Sequence, residues 1–459
     1  MQIKCLCAGY RRQFFQNNAG LELYMTFREE SEQIIQESLA AVLPGAAVAK
    51  ALAGYQFGKG RIFLAAIGKA AVSMAEAVAE ILGDRISAGV ICTKYGYGPA
   101  CSAARQGSFP EPEEAPGSLF KALNIRCFEG GHPVPDENSF RQTEEVLEMT
   151  KDLEPDDTVL FLVSGGGSAL FEKPLIPGGD LADITNRLLA CGADITEINT
   201  IRKRLSAVKG GRFAQWCAPA HVFSIVLSDI IGDPLDMIAS GPAYPDSSTC
   251  ADARRIIEKY ALRLSPEAMK LMDAETPKSL GNVETVVTGS VRELCSAAAE
   301  SCEKLGYRPV ILTDQLDCEA KEAGSFLASI ARSYCENPPA GCGGRLAFIA
   351  GGETVVHLSG SGLGGRNQEL ALSAAEGIAG LSGAALFSFG SDGTDGPTDA
   401  AGGYCDGSTK AALESKGISI HEMLRNNDSY HALDACGGLI KTVPTGTNVN
   451  DAAILLLHI

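Results

Sequence analysis

One local pattern recurs along this chain of 459 residues: a short apolar run ends in glycine and leads straight into a helix-forming segment. In the clearest copy, residues 61–75, the run closes with Gly68-Lys69 ahead of an alanine-rich stretch. The first N–H groups of a helix favour an anion, and a lysine at the same place adds a full positive charge. Similar copies lie at 160–169 and 345–354, so we expect an α/β protein whose strand ends bind phosphate groups.

The composition disfavours several classes of protein. The chain has 39 basic and 56 acidic residues, a formal net charge of −17, and no Lys/Arg-rich stretch with interleaved aromatic residues, which disfavours nucleic-acid and anionic-membrane partners. No apolar run reaches the roughly 18 residues of a membrane span and no secretory signal is recognised, so we expect a cytoplasmic protein. The 15 cysteines include no Cys-x-x-Cys pair, and we expect reduced thiols rather than a zinc site.

The length of the chain and its rhythm of strands and helices predict two domains. A Rossmann-like domain with a parallel sheet is predicted over 27–270, and a smaller α/β domain over 283–459. Residues 1–26 differ from this pattern and are interpreted as an N-terminal extension, either a flexible segment or sequence upstream of a start at Met25. Ligands of parallel sheets bind at the carboxyl ends of the strands, and the glycine loops lie at those ends.

The loop at 164–168, after the predicted strand 158–163, is a second candidate for an anion site. Three consecutive glycines between two serines leave backbone N–H groups free to converge on an anion, and a tight turn is the alternative. Lys69 also has an alternative, as a solvated residue at a helix start. No Gly-x-x-x-x-Gly-Lys-Ser/Thr sequence occurs, which disfavours a P-loop ATPase. The candidate binding residues of these two loops are Gly68, Ser164, Gly165, Gly166, Gly167 and Ser168.

Arginines near glycines supply further candidates. Arg366 follows Gly364 and Gly365 at a predicted helix start, where its guanidinium could hold a phosphoryl group bidentately; an ordinary helix-terminal arginine is the alternative. The segment 200–212 carries a run of basic residues. A solvated helix face is the usual explanation for such a run, but its Lys-Gly-Gly end favours a partial role in binding. We include Arg204 among the phosphate-binding candidates.

Carboxylates follow two further predicted strands. Asp229 comes directly after an almost purely apolar strand, where no simple turn requires a carboxylate, and we interpret it as a general base or a metal ligand. Asp392 and Asp395 lie in a glycine-bearing loop and are further candidate Mg²⁺ ligands, because that ion takes oxygen ligands and bridges phosphate oxygens. Turn chemistry is the alternative for Asp395. His132 could contact a ligand or shape a proline-rich turn, and the turn is slightly favoured.

Together these segments resemble the glycerate 2-kinases of the MOFRL type, also called class II glycerate kinases. The resemblance extends from about residue 28 to 459 and rests on a series of ordered motifs. They are Ile67-Gly-Lys-Ala-Ala, Gly130-Gly-His-Pro-Val-Pro-Asp, Leu162-Val-Ser-Gly-Gly-Gly-Ser-Ala-Leu, Asn199-Thr-Ile-Arg-Lys-Arg-Leu-Ser, Leu227-Ser-Asp-Ile-Ile-Gly-Asp-Pro, Gly351-Gly-Glu-Thr, Gly364-Gly-Arg-Asn-Gln-Glu, Gly393-Thr-Asp-Gly and Thr445-Gly-Thr-Asn-Val-Asn-Asp.

The resemblance implies transfer of the γ-phosphoryl group of ATP, with Mg²⁺, to the 2-hydroxyl of D-glycerate, giving 2-phosphoglycerate. It also implies a Rossmann-like N-terminal domain, a C-terminal MOFRL domain and an active site in the cleft between them. Matching the motifs places Lys69, Asp229 and Arg366 where the family keeps its catalytic lysine, aspartate and arginine. We therefore expect Lys69 and Arg366 to stabilise the transferring group, and Asp229 to orient and deprotonate the hydroxyl.

Two other functions remain open. A hydroxypyruvate reductase would use NAD(P)H, but the sequence Gly-x-Gly-x-x-Gly is missing after the predicted strands 61–67 and 158–163. A non-catalytic regulator that binds nucleotides or sugar phosphates would need phosphate loops but no positioned base, so Asp229 argues against it. The sequence does not settle the oligomeric state, and a homodimer is left open.

Overall fold

The computed structural model describes residues 25–99, 116–338 and 343–459. They form two six-stranded sheets, and helices cover both faces of each sheet. We call the part built on the first sheet the N-lobe and the part built on the second sheet the C-lobe. The predicted two-domain α/β architecture with a Rossmann-like parallel sheet is confirmed.

The sheet of the N-lobe is wholly parallel. Its order, β3-β2-β1-β4-β5-β6, reverses direction between β1 and β4, and doubly wound sheets bind their ligands at such a point. Every residue of β1 and β4 is buried, as expected for central strands with helices on both faces. The strands are β1 (Ile62–Ile67), β2 (Ile86–Lys94), β3 (Ile125–Gly130), β4 (Thr158–Val163), β5 (His221–Leu227) and β6 (Val283–Gly289).

The sheet of the C-lobe is mixed, with the order β11-β10-β9-β12-β8-β7. Its strands are β7 (Arg308–Leu316), β8 (Arg345–Gly352), β9 (Ala384–Gly390), β10 (Gly402–Asp406), β11 (Leu439–Ile440) and β12 (Asp451–His458). Strand β12 runs antiparallel between β8 and β9, with Asp451 opposite both Gly352 and Gly390. The start of β12 therefore lies at the same edge of the sheet as the ends of β8 and β9.

The helices fill the space above and below the two sheets. In chain order the α-helices of the described residues are α1 (Phe27–Val42), α2 (Pro44–Ala53), α3 (Ala71–Leu82), α4 (Pro116–Ala122), α5 (Glu137–Met149), α6 (Gly167–Leu170), α7 (Gly178–Ala190), α8 (Ile195–Arg204), α9 (Arg212–Trp216), α10 (Cys250–Lys259), α11 (Pro266–Met272), α12 (Val291–Lys304), α13 (Ala320–Glu336), α14 (Arg366–Gly377), α15 (Thr409–Glu414), α16 (Ile420–Arg425) and α17 (Ser429–Cys436). Short 3₁₀ helices cover Gly83–Arg85 and Ile238–Ser240.

Two elements lie outside the domain in which the sequence predicts them. Strand β6, predicted within 283–459, is the edge strand of the N-lobe sheet. Helix α1, predicted within 27–270, packs on the C-lobe, where Ile34 and Ile35 share an apolar core with Phe387. The two predicted boundaries are corrected accordingly. The chain passes from the C-lobe to the N-lobe between α1 and α2, and returns after β6.

Among the described residues, no single helix is long and apolar enough to cross a membrane. Helices α1 and α2 would together meet the requirements of length and composition, but they are bent by 55° relative to each other. The apolar residues Ile34, Leu39 and Val42 of α1 are buried in the core of the C-lobe.

Candidate active site

The glycine loops that follow β1 and β4 lie against each other. Gly68 has a φ of +111°, and a Cβ atom there would lie 2.8 Å from the carbonyl carbon of Ser164, so only glycine fits. The N–H of Lys69 donates to the carbonyl of Gly165 at 2.9 Å, and the N–H of Ala70 donates to the Ser164 hydroxyl at 3.1 Å. These contacts fix the backbone of Lys69 to the second loop.

Asp229, just after β5, contacts the same glycine loop. A Cβ atom on Gly165 would lie 2.9 Å from the Cγ of Asp229, so the carboxylate occupies the space that a side chain would fill. A Cβ atom on Gly166 would lie 3.0 Å from Nε2 of His132 and 3.4 Å from Cγ of Lys69. Side chains that follow β1, β3 and β5 thus surround the loop that follows β4, because the ends of parallel strands meet at one edge of the sheet.

The electrostatic environment favours a basic carboxylate at this place. Burial raises the pKa of the Asp229 carboxyl above its usual value, Lys69 opposes this rise, and the negative charge of Glu353 adds to it. Burial and the positive charges of Lys69 and Lys94 lower the pKa of His132. The site therefore combines a carboxylate of increased basicity with a neutral imidazole.

Arg366 begins α14 at the edge of the second sheet where β8 ends and β12 starts. Its Nε donates to Oδ2 of Asp451 at 2.5 Å, and its Nη1 donates to Oε1 of Glu353 at 2.6 Å. Burial alone would lower the pKa of Arg366, but the two carboxylates outweigh burial and hold that pKa above its usual value. Burial raises the pKa of Asp451 to about 6, in spite of the arginine. Arg366 is thus a permanent cation held between two carboxylates.

Glu353 connects the two halves of the site. It follows β8 in the C-lobe, and its charge contributes to the raised pKa of Asp229 in the N-lobe, so the two carboxylates lie within electrostatic reach of each other. Glu353 also pairs with Arg366, so this ion pair of the C-lobe lies near the N-lobe loop that carries Asp229. We call the space between these strand ends of the two lobes the cleft.

Comparison with known proteins identifies the family. Residues 30–273 match the sequence profile of a domain of unknown function, DUF4147, and residues 346–451 match that of the MOFRL family. A D-glycerate 2-kinase of Thermotoga maritima is 48% identical over 432 residues, which cover 93% of this chain and 97% of the relative. The chain belongs to the MOFRL-type glycerate 2-kinase family.

Other members of this family agree in coverage but differ in name. A crystal structure of glycerate kinase from T. maritima superimposes with a TM-score of 0.83 at 46% identity, covering 94% of this chain and 99% of that structure. A protein of Agrobacterium vitis named putative hydroxypyruvate reductase is 38% identical over 409 residues, covering 87% of this chain and 100% of the relative. Relatives in this family are thus named after two different activities. The geometry of the site has to decide between these activities for this chain.

The outer residues of the glycine loop, Ser164, Gly167 and Ser168, hold the loop in place. The Ser164 side chain is buried and bonded to the backbone of Ile67, at the end of β1, and of Ala70. A Cβ atom on Gly167 would lie 2.7 Å from Cβ of Ala239, and the hydroxyl of Ser168 lies 3.0 Å from that of Ser240. Gly165 and Gly166 are the glycines that face Asp229, His132 and Lys69.

The loop before α14 is packed as closely as the glycine loop. A Cβ atom on Gly365 would collide with the carboxylate of Asp395, and one on Gly364 would collide with the hydroxyl of Ser429. The Asp395 carboxylate accepts hydrogen bonds from two backbone N–H groups in the first turn of α14, at 2.9 and 3.2 Å. These contacts place Asp395 as the cap of the helix that Arg366 begins.

The three aspartates predicted as metal ligands have different environments. The carboxylate of Asp395 is used by α14, and Oδ1 of Asp392 accepts from the N–H of Thr394 at 2.9 Å within a turn. The described part of the chain contains no group of three His, Cys, Asp or Glu residues arranged for a metal. Mg²⁺ in kinases needs only one or two carboxylates besides the substrate phosphates. Glu353, whose charge reaches Asp229, is a carboxylate open to that use.

The basic run at 200–212 is buried, so the interpretation as a solvated face is wrong. The fully buried Arg204 donates to the hydroxyl of Ser248 at 3.0 Å and to its carbonyl at 3.1 Å. Lys203 donates to Asp246 at 3.1 Å. The structure thus places the guanidinium of Arg204 in the interior of the N-lobe, bonded to protein groups that are distant in sequence.

Glu353 and Asp451 were not among the candidate residues. Both lie inside motifs that carry the family resemblance. For Glu353 the available signal was its position directly after a glycine-ended apolar run. Asp451 had no comparable signal, because it precedes its strand and reaches the site only through the antiparallel insertion of β12.

Proposed function

We propose that this protein is a D-glycerate 2-kinase, which transfers the γ-phosphoryl group of ATP to the 2-hydroxyl of D-glycerate. One observation carries the proposal: the Asp229 carboxylate, of raised pKa, lies on the glycine loop within electrostatic reach of Lys69 and of Glu353, which pairs with Arg366. A hydroxyl acceptor needs a positioned base, and the transferring phosphoryl group needs cations around it. The name of the T. maritima relative supports glycerate as the acceptor.

The proposed roles follow from the contacts. Asp229 accepts the proton of the 2-hydroxyl, and its position over Gly165 holds the carboxylate in one orientation. Lys69 and Arg366 offset the negative charge of the transferring group from the two lobes. For this, oxygens of the phosphoryl group replace one carboxylate at Arg366, and the better buried Asp451 keeps the guanidinium in place.

The glycine loop is proposed to hold the carboxylate of glycerate or a phosphate group. Gly165 and Gly166 expose their backbone to the cleft, and His132 and Lys69 lie beside them. Since the pKa of His132 is lowered, its neutral ring donates a hydrogen bond to the substrate without repelling Lys69. The loop therefore orients the substrate relative to Asp229.

Kinase activity implies a nucleotide substrate and, in general, Mg²⁺. When bound, the ion would offset the negative charge of the nucleotide phosphates. We propose that Glu353 would hold it, with Asp392 as a further candidate, which leaves the Asp229 carboxylate free to act as the base.

Hydroxypyruvate reduction is the second candidate, because some relatives carry that name. A dinucleotide enzyme of this fold binds pyrophosphate on Gly-x-Gly-x-x-Gly after the first strand of its sheet. Here β1 is followed by Gly68-Lys69 and an alanine-rich helix, and no such fingerprint follows β1 or β4. These sequences favour phosphoryl transfer.

The test is NMR of the product formed from D-glycerate and Mg-ATP. We expect 2-phosphoglycerate and ADP. Formation of 3-phosphoglycerate would contradict the proposed choice of hydroxyl, and absence of any phosphorylated product would contradict the kinase assignment. A parallel incubation with hydroxypyruvate and NADH or NADPH, followed by absorbance, tests the second candidate. Consumption of cofactor in step with substrate would support it.

A further inference from the structure

Helix α8 packs behind both loops that carry the proposed site. Asn199 and Arg202, three positions apart, lie on one face of this helix. Nη2 of Arg202 donates to the carbonyl of Ser168 in the glycine loop at 3.1 Å. Oδ1 of Asn199 accepts from the hydroxyl of Ser240 at 3.1 Å, in the segment that follows Asp229. One helix face therefore contacts both loops.

The two loops are also bonded to each other at this point. The hydroxyls of Ser168 and Ser240 lie 3.0 Å apart and share a hydrogen bond. Ser240 is fully buried and has a φ of +62°, and the preceding Ala239 has a φ of +52°. These backbone conformations cost free energy for residues other than glycine and persist only where surrounding contacts hold them. At Ser240 the hydroxyl contacts are Asn199 and Ser168.

A buried charged cluster completes the support of the glycine loop. Nζ of Lys209 donates to the carbonyl of Ser168 at 2.8 Å and to that of Phe171 at 3.0 Å. Glu172, also fully buried, lies 3.6 Å from Lys209 and 3.7 Å from Arg202. The carbonyl of Ser168 thus accepts from two cations, and one carboxylate balances part of their charge.

We propose that Asn199, Arg202 and Ser240 are positioning residues for phosphoryl transfer, because they set the distance between the glycine loop and the segment of Asp229. The inference rests on the function proposed for this site. None of the three is placed in contact with substrate. Since Asp229 touches the glycine loop at Gly165, a shift of either loop moves the base relative to the bound anion.

Phosphoryl transfer is sensitive to such a shift. A reacting group displaced by about 1 Å costs about 100-fold in rate, although substrate can still bind. Loss of a positioning residue therefore lowers kcat more than it raises KM. Loss of a residue with a purely structural role lowers the amount of folded enzyme and leaves both constants of the folded fraction unchanged.

Three variants test the proposal. Ser240→Ala removes the hydroxyl that joins the two loops. Arg202→Met removes one cation and leaves Lys209 paired with Glu172, so no buried charge is left alone. Arg202→Lys keeps a cation that can reach the same carbonyl. It is the conservative variant that should restore function.

Thr200→Val is the matched control. Thr200 is a buried polar residue of the same helix, and its hydroxyl donates within that helix to the carbonyl of Thr196 at 2.8 Å. The change removes a buried hydroxyl at constant size without touching either loop. It reports the effect of disturbing α8 alone.

The measurement is kcat and KM for D-glycerate with saturating Mg-ATP, on protein whose folded fraction is known from thermal unfolding. We expect kcat of Ser240→Ala and Arg202→Met to fall about tenfold or more with KM within about threefold of the wild type. Arg202→Lys should keep about a third of kcat or more, and Thr200→Val should match the wild type. Equal kcat in Ser240→Ala and Thr200→Val would overturn the proposal, as would a rise in KM at unchanged kcat. A wild-type enzyme that does not phosphorylate glycerate would instead refute the proposed function.

Discussion

Replacing Gly165 with alanine tests the geometry of the proposed base directly. The new methyl group would lie 2.9 Å from Cγ of Asp229. Carbon atoms in van der Waals contact are about 3.5–4.0 Å apart, and Oδ2 of Asp229 lies closer to the methyl group than Cγ does, so the carboxylate has to move by about 1 Å. The backbone conformation of Gly165 does not itself require glycine, since its φ is not positive. The substitution therefore acts mainly on the position of the carboxylate.

This movement changes the distance between the base and the acceptor hydroxyl but leaves Lys69 and Arg366 in place. Misplacement of a reacting group by about 1 Å costs about 100-fold in rate. That factor corresponds to about 2.7 kcal/mol in the activation free energy. We expect kcat of Gly165→Ala to fall by about that factor, with little change in KM for ATP.

A coupled assay for ADP release measures kcat, and thermal unfolding measures stability. Gly179→Ala is the control, because a Cβ atom at Gly179 in α7 would meet no atom within 4 Å. Alanine in this helix should leave kcat unchanged and raise the free energy of unfolding by up to about 1 kcal/mol. If folded Gly165→Ala kept kcat within about threefold of the wild type, the assignment of Asp229 as a base fixed by this loop would be refuted.

Three further changes have definite expected outcomes. Asp229→Asn should lower kcat by about 10²–10⁴-fold and leave the melting temperature equal or higher, because burial disfavours the charged carboxyl; a kcat above a tenth of the wild type would exclude the base role. Arg366→Met should lower kcat by about 10³-fold or more, as for other arginines that contact a transferring phosphoryl group, and steady-state kinetics with matched Arg366→Lys would show whether charge alone suffices. Burial and the negative charge of Glu80 raise the pKa of Glu76 to about 7. The protonated carboxyl therefore contributes to the free energy of unfolding at low pH, and this contribution is lost as the pH rises through 7. Denaturant unfolding of Glu76→Gln should therefore show a gain of about 1–2 kcal/mol over the wild type at pH 8.5, discounted for partial exposure of the side chain, and little difference at pH 5; an equal gain at both pH values would contradict this.

The N-lobe half of the site was predictable because it depends on local sequence. The apolar runs of β1, β4 and β5 are each followed directly by the candidate residues, and a parallel sheet brings such ends to one edge. This is why Lys69, Gly165 and Asp229 could be proposed together from the sequence. Their roles in catalysis stay predictions until the variants are measured.

The C-lobe half depends on strand order, which local sequence does not encode. Asp451 reaches Arg366 only because β12 inserts between β8 and β9, a long-range choice of partners. The burial of the basic run at 200–212 is not predictable from local sequence for a similar reason. Its countercharges, Glu172 and Asp246, come from other parts of the chain, so the run looks solvated when it is considered alone.

Helix α1 comes from the N-terminal part of the chain but packs on the C-lobe, and the chain returns to the C-lobe only after β6. The two lobes are therefore not separable by a single cut in the sequence. A fragment starting after β6 would lack α1, and the faces of Phe387 and Phe389 that α1 covers would meet water. A fragment ending at β6 would contain α1 with its apolar face exposed to water. We therefore expect neither fragment to fold on its own. To isolate the C-terminal half, α1 should be fused to it. The start of α1 lies close to the end of β12, because the rings of Phe27 and His458 are 4.3 Å apart, so these two ends can be joined by a linker.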